Sequence, residues 1–443
     1  MRAAAFRWCL WALLALAASL PAGQGRAEQD LASLQALLDK AEPGETIVLK
    51  PGTYEGPITI DKPLTLRSEQ EGAAVLRHVG IGPAVSIEAD GATVAGLSIV
   101  DEAVKEEPTV LVTGHRAVLD SLRIRTGADG IAARDADEGA VTRTTIEWAA
   151  DGVRMADKGN GIDLYNAHRW RLAGNTIRDV HDGIYMENSD EAFVAGNVIE
   201  RSRYGVHCMY TKGTVIERNE GNLNVTGAMV MTARQVTVTG NTFTKQSENV
   251  NSQGILLYDA HETVVADNTV DGNRVGLYVE QSTANRLENN RVSYNFIGLQ
   301  LLESSENTVA GNQFLGNVAD AQARGSENNA LTGNYWDSFR GIDADGDGYS
   351  DISYAINPFF QGLTQKRPAF QLFFQSPGMV FLEGLYQAGR DQWAADTAPL
   401  MALPDSAPQA EQRPAGGSGT GLAGFALLAG TVLFIFSMRR RSI

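Results

Sequence analysis

The chain has 443 residues, 46 of them glycine and 20% charged, with a formal charge of −16. That acidity excludes a nucleic-acid partner, because nothing neutralises phosphates over an extended face. Of its two cysteines, Cys9 lies in an expected export signal, so Cys208 is left without an internal disulfide partner.

Residues 1–27 read as a signal peptide. Arg2 and Arg7 lead an apolar run from Cys9 to Leu20, and Gly25 and Ala27 precede an expected cut at Glu28. The mature protein is therefore expected outside the cytoplasm. From Asp30 to Leu38 the apolar spacing is helical, with Asp30 in place as N-cap. Such a helix would plug one open end of a stacked β structure, where unpaired strand edges invite aggregation. Thr46-Ile47-Val48-Leu49, Ile58-Thr59-Ile60 and Leu64-Thr65-Leu66 then read as strands, broken at Pro51-Gly52 and Pro63.

The middle of the chain is periodic. Glycines recur at Gly161, Gly183, Gly205, Gly227, Gly254, Gly276 and Gly298, and asparagines at Asn175, Asn197, Asn219, Asn241, Asn268, Asn290, Asn312 and Asn334. Both series step by 22 residues with one step of 27, so a single five-residue insertion near Gln246 explains both. Within each repeat the apolar residues alternate, as in Gly276-Leu277-Tyr278-Val279-Glu280, and no helical return or leucine-rich frame intervenes. An all-β fold follows: a right-handed parallel β-helix of 22-residue coils. About thirteen coils at about 4.8 Å each make a rod about 60 Å long. The asparagines are expected to stack and hydrogen-bond between coils while adopting the left-handed conformation of a corner, and the glycines to mark a second corner.

Residues 28–334 thus form the β-helix with its N-terminal cap. Residues 335–403 hold an acidic loop and an aromatic segment (Phe359, Phe360, Phe370, Phe373, Phe374, Phe381) expected to close the far end. Residues 404–420 are a Pro/Gly/Ser-rich linker, and residues 421–438 carry no charge over 18 positions before Arg439-Arg440-Arg441. That length suffices for a single transmembrane helix, with residues 439–443 as a cytoplasmic tail and the rod anchored at the inner membrane. Gly416-Gly417-Ser418-Gly419 leaves a second reading open, a C-terminal sorting signal that is removed.

Counting from each repeat glycine, positions one and three should point inward and positions two and four outward. Position two runs Asp163, Tyr185, His207, Met229, Leu256, Tyr278, Gln300, and position four runs Tyr165, Glu187, Met209, Met231, Tyr258, Glu280, Leu302. His207, Met209, Met229 and Met231 then form one patch open to the exterior. Three thioethers and an imidazole are a donor set that selects a soft cation such as Cu(I); the same side chains would equally make an adaptable apolar contact surface. Cys208 should point into the core. A polysaccharide-active site would need paired carboxylates. Asp163 and Glu187 are diagonal neighbours, but neither column holds an Arg or Lys to grip a uronate. Asp343, Asp345, Asp347 and Asp351 alternate through a glycine-containing loop and, with the Tyr349 carbonyl, resemble a calcium loop without flanking helices.

Several stretches resemble the NosD-type maturation proteins of nitrous oxide reductase. They are Gly159-Asn160-Gly161-Ile162, Asp182-Gly183-Ile184-Tyr185, Val206-His207-Cys208-Met209-Tyr210-Thr211, Gly333-Asn334-Tyr335-Trp336, the Asp343 loop, Gln375-Ser376-Pro377-Gly378 and Ala398-Pro399-Leu400-Met401. The resemblance spans nearly all of residues 31–401. It implies a periplasmic β-helix, not an enzyme, that binds copper or docks partners while the reductase acquires its copper-sulfide centre. The implied partners are the reductase and an ABC-type permease with its ATPase; the His207, Met209, Met229 and Met231 patch would itself suit Cu(I) or the methionine-rich surface of a copper carrier. Cys208 stands where an aromatic is common in that family, and the C-terminal anchor is a further departure. An exported polysaccharide-active or polysaccharide-binding β-helix remains the alternative.

Overall fold

The computed structural model describes residues 33–246, 251–373, 376–390 and 393–403. The expected signal peptide, Asp30, and the linker, anchor and tail of residues 404–443 lie outside the described residues. Among the described residues, no helix is long and apolar enough to cross a membrane.

The chain winds through three sheets in turn. A first sheet runs from Thr46–Leu49 to Ala330–Thr332 and is extended by Ala395–Asp396 and Tyr354–Ala355, a second runs from Gly52–Glu55 to Tyr335–Trp336, and a third from Ile58–Ile60 to Ala319–Arg324. Each coil contributes one strand to each sheet, except the last, which adds none to the third, and every pairing between coils is parallel and in register. The second sheet has 13 strands, so the solenoid has thirteen coils. Alternation drives this arrangement, because one residue of each short strand faces inward and stacks on its counterpart in the next coil. In the first sheet that column descends from Leu66 through Val94, Leu119 and Val141 to Leu331, each almost wholly buried. Burying one such side chain is worth about 1.5–3 kcal/mol.

The asparagine series does form a buried ladder. In Asn219, Oδ1 accepts from the backbone N–H and the Nδ2 of Asn197, while Nδ2 donates to the Val194 carbonyl and to Asn241 Oδ1. The left-handed residue is not the asparagine, however, but the one before it: Gly196, Arg218, Gly240 and Asp267 have φ of 63°, 50°, 63° and 58°. The asparagine needs ordinary backbone geometry to aim its amide along the rod. The repeat glycines likewise mark no left-handed corner. Gly183 and Gly227 lie within third-sheet strands, where a Cβ would stand 2.4 Å from Ile199 Cγ2 or 2.5 Å from the Phe243 ring. Close packing of coil on coil demands glycine there. Two further ladders, Asn224–Gln246–Asn273–Asn295–Asn317 and Asn285–Asn307–Asn329, run parallel to the first.

Both ends of the rod are closed. The N-terminal helix is Leu34–Lys40, and its cap is Ser33, whose hydroxyl accepts from the Ala36 N–H at 3.2 Å. Leu34 and Leu38 sit on the core, and the Gln35 amide makes two bonds with the Thr59 backbone, pairing the third sheet's first edge strand. At the far end Asp396 Oδ2 receives Asn334 N–H, Asn334 Nδ2 and Trp336 Nε1 at 2.9–3.0 Å, ending the asparagine ladder. Phe314, Trp336 and Tyr354 stack beside it.

Candidate functional site

The third sheet positions the residues singled out above. Its long strands, among them Asp182–Glu187, Tyr204–Met209 and Thr226–Met231, pair residue by residue, so that His207 lies beside Met229 and Met209 beside Met231. Both outward columns hold their order from Asp163 to Gln300 and from Tyr165 to Leu302. Ile184, Met186, Val206 and Cys208 fill the core between them. Burial pushes the Cys208 thiol up to about 12, so it behaves as a small apolar side chain.

The patch is less open than the alternation implies. His207 is 5% and Met229 9% exposed, while Met209 and Met231 are half-buried. The cover comes from neighbouring aromatics: the Tyr185 and Tyr204 rings lie 5.0 and 4.8 Å from the imidazole, and the Tyr185 hydroxyl is 3.9 Å from Met209 Sδ. That hydroxyl also donates to Glu187 Oε2 at 2.6 Å, and burial together with this carboxylate raises its pKa.

Behind the imidazole stands Asp182, a residue the alternation did not single out. Counted back through Gly183, its position would share the inner face with Ile184, yet its carboxylate reaches His207 on the outer face. Its Oδ2 is 3.0 Å from His207 Nδ1, and Arg203 grips it at 2.8 Å through Nε and 2.6 Å through Nη2. Burial would raise the Asp182 pKa, but the Arg203 and His207 hydrogen bonds outweigh it and hold the carboxyl below its ordinary 3.8. An anionic acceptor at Nδ1 places a proton there, and in the neutral ring Nε2 then keeps the lone pair. His207 Nε2 is buried and has no hydrogen-bond partner among the described residues. An imidazole nitrogen with a free lone pair, beside thioether sulfurs, is a donor set that fits a soft metal ion. The Asp182–His207 pair has the form of the carboxylate–histidine arrangement that orients metal ligands.

The carboxylates of the alternative reading are tied elsewhere. Asp163 Oδ1 is 2.7 Å from Arg134 Nη1 and its Oδ2 accepts from Asn160 Nδ2 at 2.7 Å, while Glu187 accepts from Tyr185. The two columns as counted hold no Arg or Lys, but Arg134, one coil before them and paired in register with Tyr165, supplies the basic group at their end. At the same corner, burial and the neighbouring Asp163 charge push Asp129 up to about 6. In the acidic loop, Asp343, Asp345 and Asp347 each bring an oxygen within 4.8 Å of the others. Asp351 does not join them as the calcium-loop pattern required, because it accepts from the Ala344 N–H; Tyr349 follows the cluster, its N–H donating to Asp347 Oδ1 at 2.8 Å. Short acidic side chains in tight turns bond their own backbone, which diverts Asp351 from the cluster.

Residues 150–341 match the family model described as periplasmic copper-binding protein (NosD). No curated protein matches the chain. Among solved structures, the family 28 exopolygalacturonase of Yersinia enterocolitica is 11% identical, with a TM-score of 0.55 over 67% of this chain and 74% of its own. An alginate lyase is 14% identical, with a TM-score of 0.51 over 69% of this chain and 83% of its own. These likenesses are to the β-helix as a fold and extend no further.

Proposed function

We propose that this chain, of the NosD type by the match over residues 150–341, is a periplasmic copper-associated β-helix protein and an accessory factor in assembling the copper-sulfide centre of nitrous oxide reductase. Copper is its cargo. Cu(I) is taken by His207 Nε2 with sulfur from Met209, Met229 and Met231, and the rod presents it from the periplasmic side to the reductase. An ABC-type permease with its ATPase and a methionine-rich copper carrier are the expected partners along the third sheet's outer face. No reaction is assigned to the chain itself. The Asp343–Asp345–Asp347 loop holds calcium in a structural role at the C-terminal cap.

One observation carries this reading. His207 Nε2 is buried without a partner among the described residues, at a cost of about 1–3 kcal/mol, in a strand pair whose register brings Met229 beside it. A metal ion would remove that cost. The rival polysaccharide reading has no comparable support, because Asp163 and Glu187 are each engaged by neighbouring side chains and the exopolygalacturonase and alginate lyase structures are similar in fold alone. The test is replacement of His207 by Gln and of the three methionines by Leu in cells that make the reductase. A reductase lacking its copper-sulfide centre, with the variant present at normal level, is expected. A fully assembled centre in those cells would contradict the proposal.

A further inference from the structure

We infer that Asp182, held by Arg203, is the positioning residue that fixes the tautomer of His207 and so leaves Nε2 bare for a ligand. The inference rests on the copper reading for its purpose but on geometry for its substance. Asp182 is 0% exposed, and its four contacts leave it little freedom: two from Arg203, one from the Tyr204 N–H at 3.3 Å and one from His207 Nδ1. Arg203 is itself held, its guanidinium lying 4.4 Å over the Tyr204 ring. Because Arg203 supplies two donors and the Tyr204 backbone a third, the remaining acceptor capacity of the carboxylate faces Nδ1.

The imidazole is gripped on two further sides by Tyr185 and Tyr204, so it cannot turn to exchange its nitrogens. Contrast sharpens the point. His261, also in a turn of the rod, has partners on both nitrogens, Thr283 Oγ1 at 2.7 Å and Asp259 Oδ1 at 3.1 Å, and is thereby closed to a ligand. At His207 one nitrogen is committed and the other left without a hydrogen bond. A carboxylate in this place both orients the ring and strengthens the free nitrogen as a donor. Its charge is balanced by Arg203, so no net negative charge is added beside the thioethers to favour a divalent ion.

The first test needs no metal. Nitrogen-15 histidine spectra of the metal-free full chain, with His207 identified by the signal lost in His207→Gln, should show the proton on Nδ1 and none on Nε2. A wild-type ring with a proton on Nε2, alone or together with Nδ1, at neutral pH overturns the inference. In Asp182→Asn, Arg203 draws the amide oxygen and the amide N–H2 faces Nδ1, which reverses the tautomer. Cu(I) affinity, measured with Cu(I) against a competing chelator, should then fall about 10–100-fold. A purely space-filling role for Asp182 would not reverse the tautomer. If Asp182→Asn keeps the wild-type tautomer and affinity, the positioning role is refuted and the copper reading stands. If the tautomer reverses with Cu(I) affinity undiminished, both fail, because the metal is then held without Nε2. Should the variant not fold, the wild-type spectrum alone decides.

Discussion

Replacing Asn219 by Ala tests how the rod holds the coil that carries Met229 and Met231. The side chain makes four hydrogen bonds, to Asn197 N–H, Asn197 Nδ2, the Val194 carbonyl and Asn241 Oδ1, at 2.8–3.0 Å, and is 1% exposed. Truncation leaves the Asn197 N–H without its acceptor in a site closed to water, which costs about 1–3 kcal/mol. Two of the other three groups keep a second partner. Asn197 Nδ2 still reaches the Leu172 carbonyl and Asn241 Oδ1 still accepts the residue 219 N–H, so each lost bond is worth only about 0.5–1.5 kcal/mol. Allowing for the amide no longer buried, the loss should be about 3 kcal/mol. Urea unfolding measures that loss, and amide hydrogen exchange locates it, with the Asn197 amide the most strongly deprotected. Asn219→Asp should be at least as damaging at neutral pH, since it turns an anionic oxygen toward the Val194 carbonyl and Asn241 Oδ1. A loss below about 0.5 kcal/mol, or an Asn197 amide as protected as before, would refute the ladder as a load-carrying element.

Asp129 sets a pH dependence. Its folded value of about 6 lies above the ordinary 3.8, so its contribution to stability is complete below the unfolded value and is lost as pH rises toward and through about 6. The gap corresponds to at most about 3 kcal/mol, and Asp129→Asn should flatten the decline between about pH 4 and 6; an unchanged slope would count against it. Cys208 should resist a thiol reagent at pH 8 in the folded chain and react at once on unfolding, and Cys208→Ala should leave Cu(I) binding unchanged; rapid labelling of the native protein would contradict its place in the core. Calcium at 100 times its dissociation constant should stabilise the C-terminal cap by about 2.7 kcal/mol, an increment that Asp343→Asn and Asp345→Asn together remove; a melting temperature indifferent to calcium and to chelator would dismiss that site.

Much of the fold was legible because it is redundant. A 22-residue step and a period of two, repeated coil after coil, specify the partner of each residue, so Met229 beside His207 and Met231 beside Met209 followed from spacing. The alternation could not reveal how side chains on adjacent coils lean over one another. Tyr185 and Tyr204 cover His207 through rotamers that strand parity does not encode. Asp182, quoted only within a family stretch, was given no role at the patch because alternation counted back through Gly183 turns it inward. The column containing Asp182, Tyr204, Thr226 and Gln253, which pair in register, carried a signal nonetheless: a carboxylate one residue before a repeat glycine, beside the next coil's histidine. The second and third ladders were also visible, since Asn273, Asn295 and Asn317, like Asn285, Asn307 and Asn329, stand 22 apart. In the cap, where no repeat constrains the chain, spacing alone grouped Asp351 with a cluster it does not join.

The most direct measurement is anaerobic titration of the full chain with Cu(I) against a competing chelator, beside a variant with His207→Gln and Met209, Met229 and Met231 each replaced by Leu. Saturable binding in the wild type that disappears in a variant of unchanged fold is the predicted result. Equal binding by both chains would contradict a copper site on the outer face of the third sheet.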